Sequence, residues 1–278
     1  MMLRTILTAA GLAALMTGQA LAQAPIKTAV DGTFAPHAFP NLAGGGIQGF
    51  NVDLANEIGK RLGRPIEITS TQFSGIIPAL NAGTYDFVMA PVTATPERAT
   101  SMLFTEGYLD TDFRLITRRG DAPITDLASM RGKVVSVNRG SAYESWAKSM
   151  EASVGWRVEA FGTQTDAVQA VIAGRAVANV TAETVAAFAV KNNPQIKLDY
   201  LHKTGLVWAV PARNGDTATR DMVENAIECI KKDGTMAKIF EKWFGIAPRP
   251  DSAAATIFPG SGVPGLPGYD ATVREPRC

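Results

Sequence analysis

The sequence predicts an α/β protein in which parallel strands are covered by helices. From Ile26 onward, short β-branched runs alternate with segments of helical periodicity, which is the pattern of β-α-β units. The 278 residues are enough for two compact lobes of about 100 to 150 residues each. No repeat of about 20 to 50 residues appears, so the pattern does not favour a solenoid.

Residues 1–22 have the pattern of a secretory signal peptide. Arg4 precedes an apolar run at 6–16, and an Ala-Leu-Ala triplet follows that run. A membrane anchor is the alternative, but the run is too short to cross about 30 Å of hydrocarbon. We expect cleavage after Ala22 and a soluble periplasmic protein that begins at Gln23. No cysteine stands at the cleavage point, which disfavours a lipoprotein.

The first half of the chain alternates strand and helix patterns. A β-branched run predicts a strand at 26–30, and a glycine-rich loop separates it from a helix whose apolar stripe is Leu54, Ile58 and Leu62. Gly63 ends that helix. The elements that follow are a strand at 66–68, a helix at 74–82, a strand at 87–89 and a short helix that begins at Thr95-Pro96.

The second half of the chain repeats this alternation. Apolar runs predict strands at 113–117, at 134–137, around 158, at 178–180 and at 206–210. Helical spacing predicts helices at 143–150, 168–172, 219–232 and 236–243. The continuous apolar run at 206–210 suits a buried strand that returns the chain to the first lobe.

The C-terminal segment and the cysteines leave two alternatives open. Residues 246–278 are rich in proline and glycine, so we expect a tail without regular structure. In an oxidising compartment Cys229 and Cys278 either pair, or Cys229 is a buried apolar residue and Cys278 is free. His37 and His202 lie far apart without a cysteine cluster, so we expect neither a structural zinc site nor a cofactor.

The composition excludes several kinds of partner and chemistry. The formal net charge is +1 at pH 7, which is not the basic balance of a protein that binds nucleic acid. With 46% hydrophobic and 19% charged residues, the chain has the composition of an ordinary globular protein. No Ser-His-Asp arrangement, glycine-rich phosphate loop or metal-ligand cluster indicates an enzyme.

Six segments of the chain resemble the family 3 solute-binding proteins, which are periplasmic receptors of ABC importers for polar amino acids and related solutes. The segments are 31–34, 49–54, 76–86, 93–98, 127–135 and 233–245. Each segment alone is a weak signal. Their order and spacing from Ile26 to Gly245 argue against chance similarity.

The resemblance implies two α/β lobes that close around a ligand. Lobe 1 would combine 23–112 with 210–245, lobe 2 would be 113–209, and strands near 112–115 and 206–209 would form the hinge. The implied function is that of a binding protein and not an enzyme. It would act as a monomer and deliver a small carboxylate-bearing solute to an inner-membrane ABC permease.

The resemblance places Arg98 on the carboxylate of the ligand. A guanidinium presents paired donors to a carboxylate and stays charged at any periplasmic pH. The alternative is a surface ion pair with Glu97 or Glu106. The resemblance also assigns the hydroxyl and backbone N–H of Thr93 to the ligand, and the carbonyl of Pro91 to a donor on the ligand.

Three more candidates come from lobe 1. Phe34 and Phe73 resemble the walls that enclose the ligand side chain in this family, because flat rings give a large contact area at low entropic cost. Each is otherwise an ordinary core residue. Asp31 occupies a position that often reaches a polar or basic part of the ligand, or it caps the turn that follows it.

In lobe 2, Gly140-Ser141-Ala142 resembles a turn of the family whose backbone N–H groups complete the carboxylate site. Ser141 and Ala142 therefore join the candidate site, together with the neighbouring Asn138 and Arg139. An arginine is not usual at this position, and exposure to solvent is the alternative for Arg139.

The sequence departs from the family after the last strand of lobe 2. Amino-acid binders usually carry an aspartate there that pairs with the α-ammonium of the ligand, whereas this chain has Ala182 followed by Glu183. A buried ammonium without an anion would be costly. Either Glu183 or Asp31 substitutes, or the alignment slips by one residue, or the ligand lacks an α-ammonium. We slightly favour the last, which predicts an organic or keto acid or an amino-acid derivative.

Two other functions stay open at this stage. Some relatives of this fold resemble cyclohexadienyl dehydratases, in which Glu183 would be the general acid and Arg98 would hold the substrate carboxylate. A periplasmic sensory receptor would use the same closure to signal to a membrane kinase.

Overall fold

The computed structural model describes residues 24–278. The predicted signal peptide at 1–22 and the predicted start at Gln23 lie outside these residues. Within the described part of the chain, no helix has both the length and the apolar character needed to cross a bilayer. The strands and helices form an α/β fold of two lobes, as the sequence predicts.

The N-terminal part of the fold ends in a long strand. Its elements are β1 (Ile26–Val30), β2 (Phe39–Pro40), β3 (Ile47–Gln48), α1 (Phe50–Arg61), β4 (Ile66–Ser70), α2 (Phe73–Asn81), β5 (Val92–Thr93), α3 (Pro96–Ala99) and β6 (Met102–Arg118). β1 pairs with β4 in parallel, and β2 pairs with β3 in antiparallel fashion.

The rest of the fold returns through a second long strand. Its elements are a 3-10 helix (Leu127–Met130), β7 (Val134–Asn138), α4 (Ala142–Ser149), α5 (Glu151–Val154), β8 (Arg157–Phe161), α6 (Gln164–Ile172), β9 (Ala178–Ala182), α7 (Glu183–Asn192), β10 (Ile196–Arg213), α8 (Thr217–Lys232) and α9 (Thr235–Phe244). β7 pairs in parallel with β8 and with β9.

The strands β6 and β10 run through both lobes as an antiparallel pair. They pair from Met102 with Arg213 at one end to Arg118 with Ile196 at the other. In the first lobe β5 pairs with β10, and in the second β9 pairs with β6, which gives one six-stranded sheet in the order β5-β10-β6-β9-β7-β8. We call the elements before β6, together with α8 and α9, the first lobe, and those between β6 and β10 the second lobe.

The helices cover the strands because their apolar residues recur on one side. In α1, Leu54, Ala55 and Ile58 are completely buried, while Lys60 is exposed. Basic residues in the last turn of α1 also interact favourably with the partial negative charge at the C-terminal end of the helix. The apolar stripe that the sequence predicts for this helix is therefore its packing face.

One predicted strand is wrong. Residues 87–89 form only an isolated bridge, between Phe87 and Ala212. Met89 divides its N–H between the hydroxyl of Thr28, at 2.9 Å, and the carbonyl of Ala29, at 3.2 Å. The Thr28 hydroxyl in turn donates to the carbonyl of Phe87 at 3.0 Å. A side chain thus replaces part of the backbone ladder that a regular strand would need.

Residues 246–278 contain no helix or extended strand, yet they pack onto the first lobe. Ser252, Ala253 and Ala254 are buried, and an isolated bridge joins Ser261 to Asp270. A disulfide joins Cys278, the last residue, to Cys229 in α8. Of the two alternatives for the cysteines, the structure has the pair.

A buried ion pair holds this tail to α8 and β6. The Nζ of Lys231 lies 2.6 Å from an Oε atom of Glu106, and neither side chain is exposed. Lys231 also donates to the carbonyl of Thr256 at 2.9 Å, and the N–H of Phe258 donates to the other oxygen of Glu106 at 2.7 Å. The tail therefore supplies hydrogen bonds that a buried ion pair needs in order to be tolerated.

Glu224 is a second buried carboxylate beneath the tail. Its oxygens accept the N–H of Gly262 at 2.9 and 3.0 Å, and the guanidinium groups of Arg220 and Arg274 lie 3.8 and 3.9 Å away. Burial raises the pKa of Glu224 to about 7. Burial also raises the pKa of the neighbouring Glu228 to about 7.

The disulfide predicts a measurable stabilisation. Its cysteines are 49 residues apart, so the bond removes loop entropy from the unfolded chain. We expect Cys278→Ser to lower the free energy of unfolding by about 2 to 4 kcal/mol in urea denaturation. Reduction of the wild-type protein should reproduce the loss, and reductant should leave the variant unchanged. Equal stabilities of variant and oxidised wild type would contradict the prediction.

The raised pKa of Glu224 predicts a pH dependence with a defined sign. A carboxyl whose pKa is raised from 4.5 to about 7 keeps its proton in the folded protein while the unfolded chain loses its own. The contribution of Glu224 to stability is therefore present below pH 4.5 and is lost as the pH rises towards 7.

Glu224→Gln removes this titration. We expect the stability of the variant relative to wild type to increase steadily between pH 4.5 and 7, as measured by urea denaturation at each pH. Glu275→Gln is the matched control, because Glu275 lies in the same tail with 92% of its side chain exposed. A difference between Glu224→Gln and wild type that does not change with pH would refute the assignment.

Candidate functional site

A cavity lies between the two lobes, where strand ends from both lobes meet. Its volume is about 10 Å³, which is roughly the room that one water molecule needs. Its walls combine aromatic and polar side chains, as small-ligand sites do. The lining residues are Asp31, Phe34, Phe73, Pro91, Arg98, Asn138, Ser141, Ala142 and Tyr143.

The topology explains why these side chains meet. Asp31 follows β1, and Asn138 is the last residue of β7, and both strands have parallel neighbours. In open α/β sheets, ligand crevices form outside the carboxyl ends of such strands. The predicted residues of both lobes therefore come together at one edge, although Asp31 and Asn138 are 107 residues apart.

Arg98 reaches the cavity from α3. The hydroxyl of Thr95 caps this short helix by accepting the N–H of Arg98, and Pro96 occupies the first turn. The guanidinium donates to the carbonyl of Thr93 at 3.1 Å and, across the cleft, to the carbonyl of Gly140 at 2.9 Å. A guanidinium has five N–H donors, so three remain for another acceptor.

The surroundings of Arg98 are partly apolar. Its guanidinium carbon lies 5.9 Å from the ring centre of Phe73, within the range of a cation–π contact. Burial lowers the pKa of Arg98 from its ordinary value, and the group stays charged because that value is so high. Among the described residues Arg98 forms no ion pair, and Glu106 instead pairs with Lys231. The surface ion pair with Glu97 or Glu106, which is the alternative for Arg98, is therefore not formed.

Asp31 is a buried anion that both lobes bind. Its Oδ1 accepts the N–H of Thr33 at 2.9 Å and the hydroxyl of the same residue at 2.7 Å. Its Oδ2 accepts the amide of Asn138, from the second lobe, at 3.0 Å. The bonds to Thr33 form the local cap that the sequence leaves as an alternative, and the bond to Asn138 adds a contact across the cleft.

Aromatic rings form the deeper wall of the cavity. Phe34 is 5% exposed and stacks against Tyr143, with ring centres 6.4 Å apart, and its edge meets Trp208 at 6.1 Å. The indole N–H of Trp208 donates to the hydroxyl of Thr93 at 3.2 Å. The Thr93 hydroxyl is therefore already bonded within the chain. Thr93 does not line the cavity and contributes by holding Arg98.

Tyr143 is the lining residue that the sequence argument misses. It follows Ala142 in the first turn of α4 and reads there as an ordinary buried residue of a helix. Burial raises the pKa of its hydroxyl above the usual value, so Tyr143 is neutral. Its position next to the Gly140-Ser141-Ala142 turn is the signal that could have identified it.

The turn at 140–142 binds its own chain. The hydroxyl of Ser141 caps α4 by accepting the N–H of Glu144 at 3.1 Å and donates to the carbonyl of Asn138 at 2.5 Å. The N–H of Gly140 donates to the carboxylate of Glu144 at 2.6 Å, and that of Ser141 to the carbonyl of Asn138 at 3.3 Å. Of the N–H groups that the resemblance implies for a ligand carboxylate, those of Gly140 and Ser141 are therefore already bonded within the chain.

Besides Thr93, three predicted site residues do not line the cavity. Arg139 is exposed, which is the alternative for this residue, and it donates to the carbonyl of Ala160 at 3.0 Å. Ala182 is buried at the end of β9. The side chain of Glu183 is 40% exposed and lies 3.3 Å from the Nε of Arg114. The position of Arg139 follows from the backbone, because it succeeds Asn138 at the end of β7 and successive residues there point to different sides.

His37 forms a further bond between the lobes. The amide nitrogen of Asn51 donates to Met89 and Tyr108, so the oxygen of Asn51 must accept from the Nδ1 of His37, at 3.0 Å. Burial lowers the pKa of His37 to about 3, so the ring is neutral and its Nε2 accepts the hydroxyl of Thr184 at 2.8 Å. Within residues 24–278, no group of three or more potential metal ligands is present.

Comparison with known proteins identifies one family. The model of the bacterial extracellular solute-binding proteins, family 3, matches residues 26–246. Among curated proteins, the chain is 28% identical to the arginine-binding extracellular protein ArtP of Bacillus subtilis (strain 168) over 221 residues, which cover 78% of this chain and 86% of that protein.

Solved structures agree with this match. An ancestral arginine-binding protein bound to glutamine has a TM-score of 0.75 and 35% identity, and the alignment covers 80% of this chain and 98% of that one. The ancestral amino acid-binding protein AncCDT-1, a precursor of cyclohexadienyl dehydratase, has a TM-score of 0.73 and 31% identity, with 79% and 95% covered. Both likenesses cover the two lobes, since each spans most of the chain.

Proposed function

The chain belongs to the bacterial extracellular solute-binding proteins of family 3, and from this premise we propose that it is the periplasmic amino-acid receptor of an ABC importer. The two lobes would close around one ligand and present it to a membrane permease. The single observation that carries the proposal is the position of Arg98, whose guanidinium lines the cavity between the lobes and has three N–H donors without a partner among residues 24–278.

Arg98 is suited to bind the carboxylate of the ligand. Two of its free N–H groups can bind a carboxylate in a bidentate fashion, and such bonds are about twice as strong as neutral ones. Phe73, against which the guanidinium lies, keeps water away from one side of the pair. Phe34 and Tyr143 offer flat apolar surfaces to the remainder of the ligand.

Asp31 is suited to bind an α-ammonium. Of the three explanations for Ala182, substitution by Asp31 has support from geometry, because Asp31 lines the cavity and Glu183 does not. The relatives reported above are named for arginine or for amino acids, and none of them is named for an organic acid. An amino acid is therefore our first proposal. An organic or keto acid is the second, and the observation that favours it is the missing carboxylate at Ala182.

The dehydratase alternative has weaker support. Glu183, its candidate general acid, lies outside the cavity beside Arg114, whereas a general acid must come within hydrogen-bond reach of the leaving group. The similarity to AncCDT-1 does not favour an enzyme, because AncCDT-1 is an ancestral amino acid-binding protein that precedes the dehydratase. We therefore propose a binding function without catalysis.

The division of the chain supports this proposal. We propose that 23–112 and 210–245 act as one lobe and 113–209 as the other, and that β6 and β10 bend where they cross. The pairing of these strands shifts register between His202 and Leu206, and such irregular positions can absorb rotation. The receptor would act as a monomer towards its permease. A sensory partner instead of a permease would use the same closure.

Removal of the Arg98 guanidinium should abolish most of the binding. A ligand at one hundred times its dissociation constant stabilises wild type by about 2.7 kcal/mol. Because Arg98→Ala loses two charge-assisted hydrogen bonds to the ligand, its affinity should fall at least about 100-fold. The same ligand concentration would then stabilise the variant by no more than about 0.4 kcal/mol. Thermal shift and calorimetric titration measure both values.

Arg139→Ala is the matched control for this experiment. The guanidinium of Arg139 stands near the same cleft, but it donates to the carbonyl of Ala160 and does not line the cavity. We therefore expect wild-type affinity in this variant. Wild-type affinity in Arg98→Ala, or an equal loss in both variants, would show that Arg98 does not bind the carboxylate.

The class of ligand can be identified directly. We expect mass spectrometry of the solution released by denaturing freshly purified protein to detect an amino acid. In a thermal-shift panel of amino acids and organic acids, only amino acids should then stabilise the protein. Stabilisation by organic or keto acids alone would reject our first proposal in favour of the second, and conversion of prephenate or arogenate would reject both.

A further inference from the structure

The charged side chains that line the cavity are balanced. In the part of the chain that the structure describes, its nine lining residues include one cation, Arg98, and one anion, Asp31. Glu183 lies outside the cavity with Arg114, and Ala182 contributes no charge. The residues that line the cavity therefore have a net charge of zero.

The anion is bound by a neutral group of the opposite lobe. Asp31 accepts two bonds from Thr33 and one from the Nδ2 of Asn138, which is 1% exposed. A carboxylate accepts hydrogen bonds, so the nitrogen of the Asn138 amide must face Asp31. The Oδ1 of Asn138 then points elsewhere, and it is a buried acceptor without a hydrogen-bond partner among the described residues.

An unpaired buried acceptor indicates what the ligand must supply. Leaving such an oxygen unbonded costs free energy, and an N–H or O–H of the ligand would remove that cost. Asn138 brings this acceptor without bringing charge. An aspartate or glutamate at the same place would instead add a second anion beside Asp31.

The charge balance then selects among amino acids. A zwitterion with an uncharged side chain places its carboxylate at Arg98 and its ammonium at Asp31, and both buried charges are paired. A cationic side chain would bring one uncompensated positive charge into the closed cavity, and an acidic one would bring a negative charge. Burial of an unpaired charge is the most expensive of these outcomes.

We propose that the cleft selects amino acids whose side chain is uncharged, and that Asn138 is the residue that determines this selection. The inference rests on the proposed amino-acid function and names its substrate class. It assigns Asn138 two contacts, one that engages Asp31 from the second lobe and one that accepts a donor from the ligand.

The test uses calorimetric titration of the full-length mature protein with the twenty standard amino acids. Glutamine, arginine and glutamate form the central set, because they have side chains of related length and net charges of zero, plus one and minus one. We expect glutamine to bind wild type at least about tenfold more tightly than arginine or glutamate. The strongest ligand of the whole panel should be uncharged in its side chain.

Two variants separate the contacts of Asn138. Asn138→Leu removes both, and we expect the affinity for the strongest uncharged ligand to fall at least about tenfold. Asn138→Asp adds a carboxylate beside Asp31, and the ratio of arginine to glutamine affinity should rise at least about tenfold. Asn81→Leu is the matched control, because Asn81 is exposed at the end of α2, outside the cavity, and should leave every affinity unchanged.

Each outcome decides the proposal. Tighter binding of arginine or glutamate than of any uncharged amino acid by wild type would overturn it while leaving the amino-acid function intact. An unchanged ratio in a folded Asn138→Asp would also overturn it. Binding of no amino acid would overturn the proposed function and this inference together. The order of the wild-type affinities for the amino acids tests the proposal even where a variant does not fold.

Discussion

The burial of one guanidinium and one carboxylate in the same cleft is the constraint on which this structure depends. Arg98 and Asp31 both belong to the first lobe, and each is bonded across the cleft, to the carbonyl of Gly140 and to the amide of Asn138. Charges removed from water must be paired or hydrogen-bonded. The strand ends that bring these partners into reach therefore matter more for the site than the helices that cover the sheets.

The two lobes are fastened differently. The tail and its disulfide attach to α8 and to the part of β6 that ends near Asp110, whose carboxylate accepts the N–H of Ala253. These contacts stiffen the first lobe and stop short of the segment where β6 and β10 cross. The polar contacts between the lobes are single hydrogen bonds, such as that between His37 and Thr184. A rigid first lobe and weak contacts between lobes are what a closing receptor needs.

Local patterns in the sequence are sufficient to predict the alternation of strands and helices. Arg98, Asp31 and Phe34 are predicted instead from the resemblance to the family, and the structure places all three around the cavity. The irregular stretch at 87–89 cannot be predicted in this way, because a threonine side chain takes part of its backbone pairing. Tyr143 is missed because, from the sequence, a tyrosine in a helix cannot be distinguished from an ordinary core residue. The docking of the tail depends on buried partners such as Lys231, which a composition rich in proline and glycine does not reveal.

Ala182 shows how a loss of charge at one position can be tolerated. It is buried at the end of β9, in the same apolar cluster as Phe34 and Tyr143. A carboxylate there would need its own compensation in these apolar surroundings. With alanine at 182, Asp31 is the remaining anion of the cavity, and an uncharged amide binds it. Arg98 and Asp31 of the first lobe thus balance each other, and the second lobe contributes the uncharged Asn138, so the charge of the site can be understood only when the lobes are considered together.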